Sequence, residues 1–320
     1  MAEVDILLAV KNGEKFIGEQ IESILAQTFQ DFRLVIRDDG SSDNTPAIIE
    51  EYAAKYPGKI QVVHDDVVCR SATKNFFQLL TYAEADYVMF SDQDDYWLPY
   101  KVQITLDYMK QTERENPGLP VLAFTGLHVV DEHLHSMDSF MSLGISRKNY
   151  ELKHAIHGNF SSGCTQMLNK ALYSRLGPYS DVITLHDHWV SLYASASGVV
   201  CQVPMALILY RQHSHNAIGA GQEKSTLSRI YDFLTSIITT PARKYRSTRH
   251  NYEVQRARCA LLRARLAEHV SPERLRQVDE VLALFSDSRR ERLRAFFKLG
   301  YFRDYSLFDG LLFLLRSIIF

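Results

Sequence analysis

The chain has 320 residues, 46% of them hydrophobic and 23% charged, with a formal net charge of −2. That length can bury a substantial core and exceeds the commonest single domain, so one larger domain plus an appendage is expected. The near-neutral total implies no nucleic-acid partner.

In chain order, residues 4–10 read as a buried strand, and Lys11-Asn12-Gly13 as a turn. Phe16, Ile17, Ile21, Ile24 and Leu25 recur at helical spacing. A second strand, 32–37, ends in Asp38-Asp39-Gly40-Ser41-Ser42-Asp43-Asn44-Thr45-Pro46, both a turn and a helix start. Ile48, Ile49, Tyr52 and Ala53 give that helix its apolar face. A third strand is predicted at 59–64, a helix at 75–83 and a fourth strand at 87–91. Strand and helix in alternation imply an α/β fold with a mostly parallel sheet covered on both faces, its two acidic turns on one edge.

The second of those turns, Ser91-Asp92-Gln93-Asp94-Asp95-Tyr96-Trp97, packs three carboxylates into four positions. Such acids repel one another unless a cation lies among them, and a hard ion such as Mg²⁺ or Mn²⁺ suits carboxylate oxygens. The plainer alternative is a solvated acidic loop; the position at a strand's carboxyl end, where open α/β sheets bind ligands, favours the metal.

A helix is predicted over 99–115 and a strand over 121–130, followed by an irregular stretch, 131–158, that would shape an acceptor site. Residues 160–168 read as a strand whose Gly163 admits a close neighbour, and 170–176 as a short helix. His186-Asp187-His188-Trp189 opens a helix running to Gly198; Asp187 there is a helix cap, a base, or both. Short strands follow at 199–203 and 207–210, then a loop from Arg211 to Asn216.

Beyond about residue 221 only helices are predicted, at 227–238, 244–268, 272–285 and 288–299. Residues 221–320 hold 19 Lys and Arg against 11 Asp and Glu, whereas residues 1–220 hold 17 against 27. The basic half suits an anionic surface or acceptor, or simply water-facing helices. The apolar segment 307–320 is too short to span a bilayer, and lying in a membrane interface and packing on neighbouring helices stay open. Cys69, Cys164, Cys201 and Cys259 form no CxxC pair, so neither a zinc site nor a disulfide framework is expected. Met1-Ala2-Glu3-Val4-Asp5 has no signal-peptide character, and the expected location is cytoplasmic, with peripheral contact on the inner membrane face left open.

Five segments together resemble the inverting family 2 glycosyltransferases of GT-A fold. They are Asp5-Ile6-Leu7-Leu8-Ala9-Val10-Lys11-Asn12-Gly13, Asp38-Asp39-Gly40-Ser41-Ser42-Asp43-Asn44-Thr45, Asp92-Gln93-Asp94-Asp95, Asp187, and Tyr210-Arg211-Gln212-His213. The variants around Trp97, Trp189 and His213 are most similar to bacterial rhamnosyltransferases of polysaccharide and O-antigen assembly. The resemblance implies a catalytic domain over 1–220 with a helical C-terminal extension over 221–320, membrane- or subunit-associating. It further implies transfer of a hexose, L-rhamnose from dTDP-L-rhamnose, to a glycan or lipid-linked glycan hydroxyl.

By the same resemblance Asp94, with Asp92 and His213, would hold Mn²⁺ or Mg²⁺, and Asp187 would be the catalytic base. Ala9, Val10, Asn12, Asp38, Asp39, Arg70, Lys74, Asn75, Asp92, Gln93 and Arg211 would line the nucleotide and donor site. Gly163, Cys164, His186, His188 and Trp189 would lie beside donor sugar and acceptor. Asp95 stays open as ligand, supporting partner or cap, and a homo-oligomer also stays open. The alternatives are a UDP-hexose donor, a nucleotidyltransferase, a glycoside hydrolase using Asp92, Asp94 and Asp187, and a degenerate nucleotide-sugar-binding module. The hydrolase needs no nucleotide pocket, and the nucleotidyltransferase lacks its Gly-rich basic loop.

Overall fold

The computed structural model describes residues 2–141, 143, 145–213, 241–304, 310, 313–314 and 318. Its residues divide into two compact units, Met1–Ala217 and Ile218–Phe320.

The first unit is an α/β sheet with helices, as the strand–helix alternation implies. β1 (Val4–Val10) is apolar on both faces and lies between β2 (Phe32–Asp38) and β4 (Tyr87–Ser91), parallel to each. A strand buried on both sides needs that composition. β3 (Ile60–Val62) adds a fourth parallel strand outside β2. The helices between them are α1 (Ile17–Leu25), α2 (Thr45–Lys55) and α3 (Ala72–Leu80). β5 (Tyr96–Trp97), α4 (Lys101–Glu115), β6 (Val121–Val130), β7 (Ser136–Met141), α5 (Leu152–Ala155), β8 (Gln166–Asn169), α6 (Lys170–Tyr173), α7 (His186–Ser197) and β9 (Val199–Arg211) complete the unit. The sheet order is β3-β2-β1-β4-β8-β6-β9-β5, with β7 on β6. β1 to β4, β6 and β9 run one way, and β5, β7 and β8 the other, so the sheet is mostly parallel.

Four local expectations are corrected. The strand predicted over 160–168 is a 3₁₀ turn, Gly163–Thr165, before the four residues of β8. The two strands predicted at 199–203 and 207–210 are one strand, β9, because its partner register jumps from Phe124↔Gln202 to Gly126↔Ala206. That bulge absorbs Pro204, which would otherwise interrupt the ladder. The irregular stretch contains β7, formed when Asp131 closes a turn by accepting the His133 and His135 backbone N–H groups. The helix predicted at 75–83 starts three residues earlier, which puts Asn75 inside α3.

The second unit holds α8 (Pro241–Leu266), α9 (Pro272–Leu282), α10 (Arg289–Leu299) and α11 (Tyr301–Asp304). Ser271 and Ser288 cap α9 and α10 through their hydroxyls, and Gly300, at φ 73°, ends α10. Cys259, Leu262, Leu266, Val278 and Phe296 are among its buried residues. The helix predicted at 227–238 lies outside the described residues, as does most of 307–320.

The opposite edge of the sheet from the candidate site is tied by one buried carboxylate. Asp5 on β1 accepts Nε and Nη2 of its register partner Arg33, both at 2.8 Å, and the backbone N–H groups of Glu84 and Ala85. Burial works to raise its pKa, but these four donors together hold it below the usual value. A depressed carboxylate stabilises the fold above its unfolded pKa and loses that contribution as pH falls through the folded one. Asp5→Asn should therefore cost about 2–3 kcal/mol in urea unfolding at pH 7, with the gap to the parent protein narrowing below about pH 4.

Candidate active site

Because β1, β2 and β4 are parallel and in register, with Val10 opposite Asp38 and Leu8 opposite Ser91, their carboxyl ends open on one edge. The turns after them are stitched together there. Gln93 accepts the Lys11 backbone N–H at 2.7 Å and donates to the Lys11 carbonyl at 3.0 Å. Asn12, at φ 51°, donates its N–H to Ser41 Oγ and accepts Ser42 N–H through Oδ1. Gly13 N–H donates to Thr45 Oγ1 at 2.8 Å. Gln93 and Asn12 thus spend their amides on the scaffold, while the backbone of Ala9, Val10 and Asn12 forms the floor of the edge.

The two adjacent acids after β2 separate. Asp38 closes its own turn, accepting the N–H groups of Gly40 and Ser41. Asp39 is buried and accepts the N–H groups of Cys69 and Arg70, each at 2.6 Å. The loop that supplies those groups is built on Arg37. This buried guanidinium donates to Asp65 at 2.6 and 3.1 Å, to Asn75 Oδ1 at 2.8 Å, and to the Val67 carbonyl. Arg37 beside Asp65 holds that carboxyl well below the usual carboxylate range, helped by Gln78, Val67 N–H and Tyr82. Asn75 is corrected as a donor contact: its amide also reaches the Arg37 and Val10 carbonyls, so it joins β1 to β2 from beneath. Arg70 is exposed at φ 54°, and half-buried Lys74 lies 3.8 Å from Asp181.

In the acidic turn the three carboxylates point to different partners. Asp94 Oδ2 meets His213 Nε2 at 2.9 Å, with the His213 ring packed on Phe16. Asp92 has its pKa pushed up to about 7, by burial first and then by Asp94 and Asp187. Asp95 is fully buried: Oδ1 accepts Arg211 N–H at 3.3 Å, the Cys164 thiol hydrogen-bonds the carboxyl, and burial with the neighbouring Asp94 and Asp92 pushes its pKa well above the usual carboxylate range. Oxygens of Asp92 and Asp95 and the Cys164 sulfur all lie within 4.8 Å of one another.

Arg211, expected at the donor site, is held by the scaffold. Its side chain is buried and donates to the Asp94 carbonyl at 2.8 Å, the Glu132 carbonyl and the Glu19 carboxylate, with its guanidinium over Phe16. It therefore binds the end of β9 to the acidic turn and α1.

Asp187, in the first turn of α7, accepts Gly163 N–H at 3.2 Å and His188 N–H at 2.7 Å, and lies within electrostatic reach of Asp92. Its three neighbours in sequence face the core, correcting their placement beside the acceptor. His186 stacks on Phe76 with ring centroids 4.0 Å apart, and burial lowers its pKa, so the ring is neutral. A Cβ on Gly163 would stand 2.5 Å from His186 Nε2, so the close neighbour that this glycine admits is an imidazole. His188 Nε2 hydrogen-bonds the Ala155 carbonyl at 2.7 Å, and Trp189 Nε1 donates to the Leu176 carbonyl. Cys164 is buried under the acidic turn, where burial and the acids keep its thiol protonated.

What converges is a carboxylate–imidazole pair, Asp94 with His213, beside a strained carboxylate, Asp92, and a separate carboxylate, Asp187. Oxygen donors with one imidazole nitrogen fit a divalent cation, whose charge would relieve the repulsion felt at Asp92. Sequence reasoning missed Arg37, Asp65, Glu19, Gln20 and Lys101. Gln20, with its amide oriented to satisfy its neighbours, donates to the Asp95 carbonyl and accepts from Ser91 Oγ and Trp97 Nε1. Only Lys101 carried a signal, a lysine at a position of α4 that must turn inward with Val102 and Thr105.

The model of glycosyl transferase family 2 matches residues 5–177. The chain is 28% identical over 226 residues to the dTDP-rhamnosyl transferase RfbG of Shigella flexneri, covering 67% of this chain and 74% of that one. It is 28% identical over 130 residues to the putative glycosyltransferase EpsE of Bacillus subtilis, covering 41% and 45%. Among solved structures, S. aureus TarS residues 1–349 with UDP-GlcNAc superposes with a TM-score of 0.60 at 16% identity, covering 98% of this chain and 79% of that one. The same protein with UDP gives 0.57 at 17%, covering 97% and 74%. The TarS likeness shows a shared fold, that of GT-A glycosyltransferases.

The loop carrying the amides that hold Asp39 depends on the Arg37–Asp65 pair. Asp65→Asn should cut hydrogen-exchange protection of the Cys69 and Arg70 amides about tenfold or more, with strand β1 little changed.

Proposed function

The chain belongs to glycosyl transferase family 2, and on that premise we propose that it moves L-rhamnose from dTDP-L-rhamnose to a hydroxyl of a growing bacterial cell-surface glycan. The observation that carries the reading is the convergence of Asp92, Asp94, Asp187 and His213 from three separate stretches of sequence. The likeness to a dTDP-rhamnosyl transferase supports the donor. Residues 1–220 act as the catalytic region and 221–320 as a helical extension. No helix among the described residues is long and apolar enough to cross a membrane. A lipid-linked acceptor is therefore met at the membrane surface, where the excess of Lys and Arg in 221–320 suits anionic headgroups.

Displacement at the anomeric carbon leaves a nucleoside diphosphate carrying new negative charge. A divalent ion, Mn²⁺ or Mg²⁺, held by Asp94 with Asp92 and His213, would neutralise that charge when bound. Asp94 and His213 hold their donor atoms 2.9 Å apart, and Asp92 lies within electrostatic reach of both Asp94 and Asp187. Asp187 takes the proton of the attacking hydroxyl from the face opposite the leaving group, which inverts the β linkage of the donor to α. Its two accepted backbone N–H groups, from Gly163 and His188, fix the orientation of its carboxylate. Ala9, Val10 and Asn12 with the Asp39 turn line the nucleotide pocket, and exposed Arg70 and half-buried Lys74 are placed for phosphate or sugar contacts.

A panel of nucleotide sugars tests the donor by nucleotide release. Turnover of dTDP-L-rhamnose is expected; turnover of UDP-glucose or UDP-galactose alone would replace the donor while keeping the reaction class, and no turnover or nucleotide binding with Mn²⁺ would sink the class.

The two carboxylate roles separate by mutation. Asp187→Asn should lower kcat about 10³-fold with nucleotide affinity nearly unchanged, whereas Asp94→Ala should weaken Mn²⁺-dependent nucleotide binding about tenfold or more. Equal loss of binding in both variants contradicts this division.

A further inference from the structure

The turn that precedes β8 is pressed against the first turn of α7. Thr165 donates its N–H and its hydroxyl to the Ser162 carbonyl, at 2.9 and 2.6 Å, which closes the 3₁₀ turn Gly163–Thr165. The next residue, Gln166, is fully buried and donates its amide to the Asp187 carbonyl at 3.1 Å and to Ser161 Oγ at 2.8 Å. From the helix side, His186 lies on the Gly163 backbone: a Cβ there would stand 2.5 Å from Nε2, 3.1 Å from Cε1 and 3.5 Å from Asp187 Cβ. The ring has little room to retreat. It stacks on Phe76 with centroids 4.0 Å apart and meets Phe90 edge-on at 5.1 Å, and both phenyl rings are buried in a close-packed core.

This close approach governs the setting of half-buried Asp187. Its two carboxylate oxygens take donors from different elements: Oδ1 accepts His188 N–H at 2.7 Å, within α7, and Oδ2 accepts Gly163 N–H at 3.2 Å, from the turn. The first donor belongs to the same helix and leaves the carboxylate free to turn about it. The second removes that freedom. Gly163 N–H reaches Oδ2 with the Gly163 backbone lying directly on the imidazole, a position that a side chain at this residue would contest.

We infer that Gly163 is a positioning residue: its lack of a side chain lets its backbone N–H hold the Asp187 carboxylate in one orientation, with the His186 ring as the fixed surface that sets the approach. The inference rests on the role of base given to Asp187 above. A reacting group misplaced by about 1 Å loses about 10²-fold in rate. One methyl group added at this turn therefore acts on the rate of transfer and not on nucleotide binding, whose proposed residues lie at the ends of β1 and β2.

The test uses the full chain carrying Gly163→Ala, alone and combined with His186→Ala or with Asp187→Asn. The readouts are kcat with dTDP-L-rhamnose, or with whichever panel donor the parent turns over, the affinity for the matching nucleotide with Mn²⁺, and thermal unfolding. Gly163→Ala should lower kcat about 10²-fold while nucleotide affinity stays within about threefold of the parent. Removing the imidazole makes room for the methyl group, so the variant with His186→Ala should regain about tenfold or more of that loss. In the Asp187→Asn background, Gly163→Ala should cost less than about threefold, because the carboxylate it positions is gone. A glycine needed only for folding predicts lower stability with kcat of the folded protein unchanged, or a loss of rate independent of Asp187, and either result overturns the inference. If Gly163→Ala does not fold, its combination with His186→Ala is still expected to; a combination no more stable or active than the single variant overturns it. Full kcat in Asp187→Asn, or a parent inactive with every nucleotide sugar, overturns the functional reading and the positioning role with it. A kcat that depends on Asp187 but not on Gly163 overturns the inference alone.

Discussion

Three carboxylates in four residues repel one another, and the first unit's site depends on how that repulsion is distributed. Asp94 is turned toward the His213 imidazole, Asp95 is buried and accepts Arg211 N–H, and Asp92 is left strained between Asp94 and Asp187. Arg211 lends its guanidinium to carbonyls and to Glu19 while its backbone N–H serves Asp95. The guanidinium thus ties the acidic turn through its backbone rather than through its carboxylates.

The parallel register of β1, β2 and β4 is the second constraint. It brings three turns of unrelated sequence to one edge, and the cross-links among them use backbone groups, so they tolerate the exposed side chains between them. Asp39, Arg37 and Asp65 extend that stitching to the loop before α3. The nucleotide pocket proposed there is consequently walled by a loop whose own hold is ionic and buried. Asp187 enters from a different direction, on α7, which is anchored by aromatic packing of His186 and Trp189 in the core.

The alternation of apolar runs with helical periods made the first half of the fold legible, because a central parallel strand has to be apolar on both faces. The acidic turn, Asp187 and His213 were legible as a family pattern. The strands β5 and β7 were not: two residues carry no period, and Ser136–Met141 has no β-branched residue, so only pairing with β9 and β6 makes them strands. Pro204 reads locally as a break, and a bulge in the β6–β9 ladder removes it.

By itself the sequence carried the α/β architecture and the edge at which the acids gather, which follow from apolar periodicity and spacing along the chain, and the motifs by which it resembles its family. Tertiary structure alone decided the direction of each side chain. Arg211, Asn75, His186, His188 and Trp189 are donor- and acceptor-site residues by family resemblance, and folding engages each with packing or with groups distant in sequence. Lys101 looks like an ordinary helix residue and lies buried on Trp97. The physical reason is common to both cases: whether a polar side chain is free for a ligand depends on which partners desolvate it, and those partners come from strands and helices that only folding brings together.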